Sequence, residues 1–363
     1  MAADPWTQLG ADIDGQAAGD YSGYSVSLSS DGSIVAVGSI YNNEGGTKAG
    51  QVRVYEFDGT NWNQLGANIN GEAAGDESAN VALSADGSIL AIGGARNDGT
   101  ANNAGHVRVF EFDGSVWSQL GEDIDGEAAN DESGIVALSS DGTILAVGAP
   151  LNDGNGADSG HVRVYQCDGS TWNQLGADLD GNSGSNYFGT SVALSADGTV
   201  LAVGALGCAG GGFIRGCAAV FKYDGSSWNQ RGANLNGEAD VDGFGASVSL
   251  SDDGSILAVG AHLNDGGGGN SGHARVFSYD GSSWNQVGSD IDGEGGGDKS
   301  GFSISLSASG SILAVGAQFL IQMERALRQV MCESMSTREV LGSLSGIILT
   351  VKLVVVTLGA PLH

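Results

Sequence analysis

Carboxylates set at fixed intervals are the residues of this chain best placed to do chemistry. Asp12-Ile13-Asp14-Gly15 returns as Asp123-Ile124-Asp125-Gly126-Glu127 and as Asp290-Ile291-Asp292-Gly293-Glu294, with Asp20, Asp131 and Asp298 a few positions further on. On an extended segment the two aspartates share one face while the isoleucine points inward. Oxygen ligands at that density suit a hard cation such as calcium, which takes roughly six to eight oxygens. Asp123, Asp125, Glu127 and Asp131, together with Asp290, Asp292, Glu294 and Asp298, are the candidate calcium ligands. Calcium is the candidate cofactor, and the sequence requires none. The alternative is a solvated connecting loop, because two other copies carry Asn68 with Asn70 and Asn234 with Asn236, so charge is not needed at every copy.

Histidines and cysteines are the other reactive types. His106, His161 and His273 each precede an arginine by two residues, Arg108, Arg163 and Arg275, which places the pair on one strand face. Each repeat sets its histidine far from the next, so these read as hydrogen-bonding and ion-pairing groups between repeats rather than as a shared metal centre. Cys208 and Cys217 bracket an aberrant loop, residues 206–216, and are the disulfide candidate; a reduced pair is the alternative. Phe213, Ile214 and Arg215 at the loop tip are the binding candidates, since aromatic and Arg side chains anchor interfaces. Cys167 reads as unpaired. No catalytic residues are assigned: the chain holds no nucleophile elbow, no metal-ligand spacing and no phosphate-binding glycine loop followed by a helix.

The elements that must position these groups are written in the tryptophans. Trp6, Trp62, Trp117, Trp172, Trp228 and Trp284 are the only six, and they fall 55 or 56 residues apart. Self-similarity at such a period marks a repeat architecture. Within one repeat, Ser25-Val26-Ser27-Leu28-Ser29 alternates polar and apolar, as a half-buried strand does. Asp31-Gly32 predicts a tight type I′ hairpin into a second strand, Ile34-Val35-Ala36-Val37-Gly38. A variable loop leads to a third strand, Gln51 to Phe57, and Asp58-Gly59 turns the chain into Trp62-Asn63-Gln64-Leu65. Four short antiparallel strands per repeat predict an all-β chain, a β-propeller of four-stranded blades. The blades are expected near 22–66, 77–121, 132–176, 186–232 and 243–288, with a sixth, incomplete one at 300–317. Residues 1–317 then form one propeller domain, and seven blades are expected in an intact parent.

Composition narrows the function classes. The 363 residues include 63 Gly and only 3 Pro, with no G-X-Y period, which excludes collagen. A formal net charge of −29 excludes the clustered cations that phosphate contacts need, so nucleic acid is not an expected partner. No basic region followed by an apolar run opens the chain, which begins in mid-repeat, so a missing start is expected.

The repeats resemble FG-GAP repeats, the units of the seven-bladed propeller at the N-terminus of integrin α subunits. Phe188-Gly189 and Phe244-Gly245 precede a first strand, and Gly148-Ala149-Pro150 follows a second; Gly204-Ala205, Gly260-Ala261 and Gly316-Ala317 keep two of its three residues. The resemblance implies an extracellular or cell-surface setting and a non-enzymatic role in adhesion or recognition of a protein or glycan. No membrane insertion and a monomeric state go with it. Integrin-type repeats hold calcium in a D-x-[DN]-x-D-G loop between the first two strands. Here that turn, S-S-D-G-S at residues 29–33, offers one carboxylate, too few for the ion. Alternatives are a propeller hydrolase or oxidase, or a truncated product without function.

After Ala317 the pattern stops, and an apolar run at 347–358 is too short to span a bilayer, which needs about 20 residues. Reading the tail one frame over, from the third base of each codon, lets 330–340 spell H-V-R-V-Y-E-Y-E-G-S and 349–357 spell D-G-E-A-G-G-G-D. Both match the missing repeat, so residues 318–363 read as a frameshifted, non-native tail.

Overall fold

Alternating sequences and glycine turns give the chain its strands, and the computed structural model describes residues 7–208, 215–320, 340–344 and 347–355. These fall into two compact units, Met1–Leu145 with Tyr165–Asn173 and Ala146–Val164 with Gln174–His363. No helix occurs among the described residues, and none is long and apolar enough to cross a membrane.

In the first unit, β1 (Ser22–Leu28), β2 (Ile34–Ser39), β3 (Gln51–Phe57) and β4 (Trp62–Gln64) form an antiparallel sheet in chain order. A two-residue strand, β5 (Ile69–Asn70), lies on the same side of β3 as β4, pairing Val52 with Ile69. The outer edge is thus one strand interrupted by a bulge, and the Asp-x-Asp segments read as loop from sequence are its second half. The second sheet repeats this with β6 (Asn80–Leu83), β7 (Ile89–Gly94), β8 (His106–Phe112), β9 (Trp117–Gln119) and β10 (Ile124–Asp125). In the second unit the fourth and fifth repeats do the same, from Phe188–Leu194 to Leu235–Asn236 and from Phe244–Leu250 to Ile291–Asp292. The expected all-β, β-propeller architecture of four-stranded blades is what the chain adopts.

One local expectation is corrected. The Asp-Gly hairpin is not a type I′ turn: Gly32 has φ +73° but Asp31 is not left-handed, and the Ser29 carbonyl accepts from the Gly32 N–H at 3.0 Å. Asp31 must instead turn its carboxylate back onto Ser29 Oγ and the Ser33 N–H, at 2.8 and 2.9 Å. In the sixth repeat the strand Ile312–Leu320 pairs antiparallel with Ile347–Val355, which pairs in turn with Val340–Leu344. An unpaired strand edge is a template for any extended segment, and this tail is rich in β-branched residues.

Each sheet buries its faces against its neighbours within a unit. Ala36, Val52, Val54 and Ile69 of the first sheet pack on Val81, Leu83, Leu90, Ile92 and Phe110 of the second. Full burial of such a side chain is worth roughly 1.5–3 kcal/mol. The polar face of β1 is not surrendered to water: Ser25 Oγ and Ser27 Oγ accept from the N–H groups of Val81 and Leu83 on the next first strand, at 3.1 and 3.0 Å. The tryptophans are ties of the same kind. Each Nε1 of Trp62, Trp117, Trp172, Trp228 and Trp284 donates to a carbonyl of the preceding repeat, at Leu9, Leu65, Leu120, Leu175 and Arg231, over 2.8–3.0 Å.

Candidate functional site

The bulged outer edge decides where the carboxylates go. Pairing of β10 with β8 sets Asp125 opposite His106. Two residues earlier, Asp123 accepts from Gln119 Nε2 through Oδ1 at 2.6 Å and turns Oδ2 toward His106 Nδ1, 3.6 Å away. Glu72 arrives from the end of the preceding repeat. Its Oε1 faces Arg108 Nη1 at 3.4 Å and its Oε2 lies 3.9 Å from the same Nδ1. The fifth repeat reproduces the arrangement: Gln286 Nε2 holds Asp290 Oδ1 at 2.6 Å, and Asp290 Oδ2 stands 3.7 Å from His273 Nδ1. Asp292 Oδ1 lies 3.9 Å from that nitrogen, and Glu238 faces Arg275 Nη1 at 3.8 Å. Glu72, His106 and Asp123, and likewise Glu238, His273 and Asp290, bring their ligand atoms within 4.8 Å of one another.

Both imidazoles are 1% exposed. Burial, and next the neighbouring Arg108 or Arg275, pushes each below the usual histidine range against the pull of Asp123 or Asp290. Asp125 is pushed up, by burial first and by Asp123 second. The other candidate calcium ligands serve different ends. Asp131 is buried and accepts from the Ala128 N–H at 3.0 Å; Asp298 accepts from the Gly295 N–H at 2.8 Å. Both close the turn that leads into the next repeat, while Glu127 and Glu294 are exposed. The eight carboxylates are therefore divided between turn closure, exposed positions and the histidines. Sequence reasoning paired each histidine with its arginine and passed over Glu72 and Glu238, which lie more than thirty residues upstream.

The fourth repeat is built differently. Elsewhere an asparagine side chain opens the loop after the second strand: Asn42, Asn97, Asn152 and Asn264 each accept, through Oδ1, from the N–H two residues on, at 2.7–2.9 Å. The fourth repeat has Leu206-Gly207-Cys208 there, and a disulfide joins Cys208 to Cys217, Cα to Cα 6.0 Å. Asn186 donates to the Gly207 carbonyl beneath it. Arg215, at the loop's return, points its Nε toward Asp240 Oδ1 at 3.4 Å. Phe213 and Ile214 lie outside the described residues. Cys167 is a free thiol.

Against known proteins, the FG-GAP repeat family model matches residues 236–277. That segment is similar to an FG-GAP repeat. No curated protein matches it as a relative. Among solved structures it is similar to a Bacteroides uniformis protein provisionally named a 6-phosphogluconolactonase, with 14% identity, TM-score 0.56 and coverage of 82% of this chain and 80% of that one. The β-propeller domain of the Trilobed protease from Pyrococcus furiosus matches at 10% identity and TM-score 0.48, covering 82% and 78%. TolB from Acinetobacter baumannii matches at 15% and 0.44, and the chain spans 54% of its length. Identities this low speak for fold alone. Glycines near the end of one repeat's second strand meet the first strand of the next repeat across sheets: a Cβ on Gly204 would stand 1.9 Å from the Gly245 carbonyl oxygen, and one on Gly260 would stand 2.1 Å from that of Gly301.

Proposed function

We propose that this FG-GAP propeller is a non-enzymatic recognition module of an extracellular or cell-surface setting, binding a protein or glycan partner through its blade loops. One observation carries the reading: of the first five repeats, the fourth alone replaces the asparagine-closed loop with a disulfide-anchored one. Features copied through the repeats, the tryptophan ties and the turn aspartates, serve the scaffold. A departure confined to one loop is where individuality of binding belongs, because loops on a rigid scaffold tolerate change and present side chains to partners. A disulfide also suits an oxidising compartment. The net charge of −29 disfavours polyanionic partners.

The test replaces residues 206–216 with the corresponding fifth-repeat loop, residues 262–272, and compares capture of glycans and of cell-surface ectodomains. Loss of capture with an unchanged melting temperature is the expected outcome. Capture that survives the replacement contradicts the placement, and turnover of a bound glycan by the purified chain contradicts the non-enzymatic reading.

A further inference from the structure

The two histidine–carboxylate groups have separations too long for a hydrogen bond and shorter than an ideal water bridge. His106 Nδ1 stands 3.6 Å from Asp123 and 3.9 Å from Glu72; His273 Nδ1 stands 3.7 Å from Asp290 and 3.9 Å from Asp292, with an oxygen of Glu238 within 4.8 Å. A direct N–H···O bond needs roughly 2.7–3.2 Å, and a bridging water, with two legs of about 2.8 Å at a tetrahedral angle, needs about 4.5 Å. Ligands held tetrahedrally at roughly 2.0–2.2 Å from one ion stand about 3.3–3.6 Å apart, so the 3.6 and 3.7 Å pairs sit at the edge of that range and the 3.9 Å pairs must draw in by about 0.3 Å on binding. We propose that Glu72, His106 and Asp123, and separately Glu238, His273 and Asp290, are binding sites for a divalent transition metal of the zinc class.

Three further observations carry this. First, His273 is 1% exposed and neither of its ring nitrogens has a hydrogen-bond partner, yet Nδ1 faces two carboxylates. A buried polar atom left unpaired costs about 1–3 kcal/mol, which an ion on Nδ1 removes. Second, outer partners already orient the ligands. Gln119 and Gln286 each take one oxygen of Asp123 and Asp290, and Arg108 faces one oxygen of Glu72, leaving the other oxygen of each turned to the histidine or its cluster. Such outer contacts characterise built metal sites. Two carboxylates and a neutral imidazole bring two negative charges to a dication.

Third, the residue types change together along the chain. Where the first position of the third strand is His106, His161 or His273, its own repeat supplies Asp123, Asp178 or Asp290, and the preceding repeat supplies Glu72, Glu127 or Glu238. Where that position is Gln51 or Cys217, the same flanks are Asn68 with Gln16 and Asn234 with Asn182. Within these five repeats the flanking acids accompany histidine, and the flanking amides accompany Gln51 or Cys217. At the first repeat Gln51 Nε2 is already hydrogen-bonded, donating to Asn70 Oδ1 at 3.0 Å and to Glu44 Oε2 at 2.5 Å. His273 Nδ1, at the same strand position, has no such partner. A nitrogen ligand favours a transition metal over calcium, which prefers an all-oxygen shell.

The full chain, stripped with chelator, is dialysed against zinc in a large excess of calcium and magnesium, which occupy the diffuse acidic surface, and bound zinc is counted by elemental analysis. His106→Gln/His273→Gln, which installs the residue that position 51 already carries, should lose two zinc ions per chain. Asp290→Asn, matching Asn234, should weaken one site by roughly tenfold or more. It keeps the question open to refutation should the double variant fail to fold. X-ray absorption should show imidazole and oxygen ligands on the retained zinc. Zinc content and affinity unchanged in folded variants, or zinc displaced by calcium at equal concentration, overturn the assignment.

Discussion

Asp31 and Asp224 show how much one turn carboxylate does. Asp31 is held down to about 2 by the Ser33 hydroxyl and N–H and then by Ser29; Asp224 reaches about 2 through the N–H of Ser227 and the hydroxyl and N–H of Ser226. Asp280, Asp58 and Asp113 are lowered by the same means. A carboxyl lowered in the fold contributes stability above its unfolded value, near 3.9, and loses it as pH falls through about 2. His262 is lowered by burial and then by Lys299. Being a base, it stays neutral in the fold, so its share is present above the unfolded value near 6.5 and is lost as pH falls below it. Thermal melts should therefore be level from pH 8 to 7, decline gently below about 6.5 and fall steeply between about 4 and 2. His262→Gln should flatten the upper step and Asp31→Ala should reduce the lower one. A melting temperature that rises between pH 4 and 2 contradicts this account.

At the scale of the element, the glycines near the end of the second strands are contact points between sheets. Gly204 has no left-handed backbone to justify it, yet the Gly245 carbonyl leaves no room for a Cβ. Gly204→Ala must push two sheets apart and should cost about 1–3 kcal/mol, the usual range for overpacking. Gly225 is the comparison: its φ is +98° with nothing within 4 Å, so Gly225→Ala should cost only about 1–2 kcal/mol of backbone strain. Chemical denaturation of both variants measures the difference. A Gly204→Ala protein as stable as the parent would show that the sheets have slack there. The strands themselves were readable from period-two alternation, but the bulge was not. Gly66, at φ +76°, marks the break, but a lone glycine there reads equally as a turn into a loop; Ile69 pairs with Val52 because β3 has an unfilled edge there. That pairing depends on the neighbouring strand, not on local propensity.

For the whole molecule, 43 acidic against 14 basic residues make self-repulsion a general term. Salt shortens the reach of such repulsion to about 8 Å at physiological ionic strength. The melting temperature should rise as sodium chloride is raised from 10 to 300 mM, most steeply at the low end. A fall over that range would mean that specific ion pairs outweigh the net charge.

The repeat, the strand alternation, the glycine turns and the FG-GAP resemblance are properties of residues near one another in the chain, so the amino-acid order alone determined them. Folding decided the company His106 and His273 keep. Asp123 is seventeen residues downstream of its histidine and Glu72 thirty-four upstream, in a different repeat. Only pairing of the short outer strand, and packing of one sheet on the next, close those distances to 3.6 and 3.9 Å. Local sequence encodes which backbone conformations are cheap; the meeting of distant side chains is set by which surfaces must be buried together.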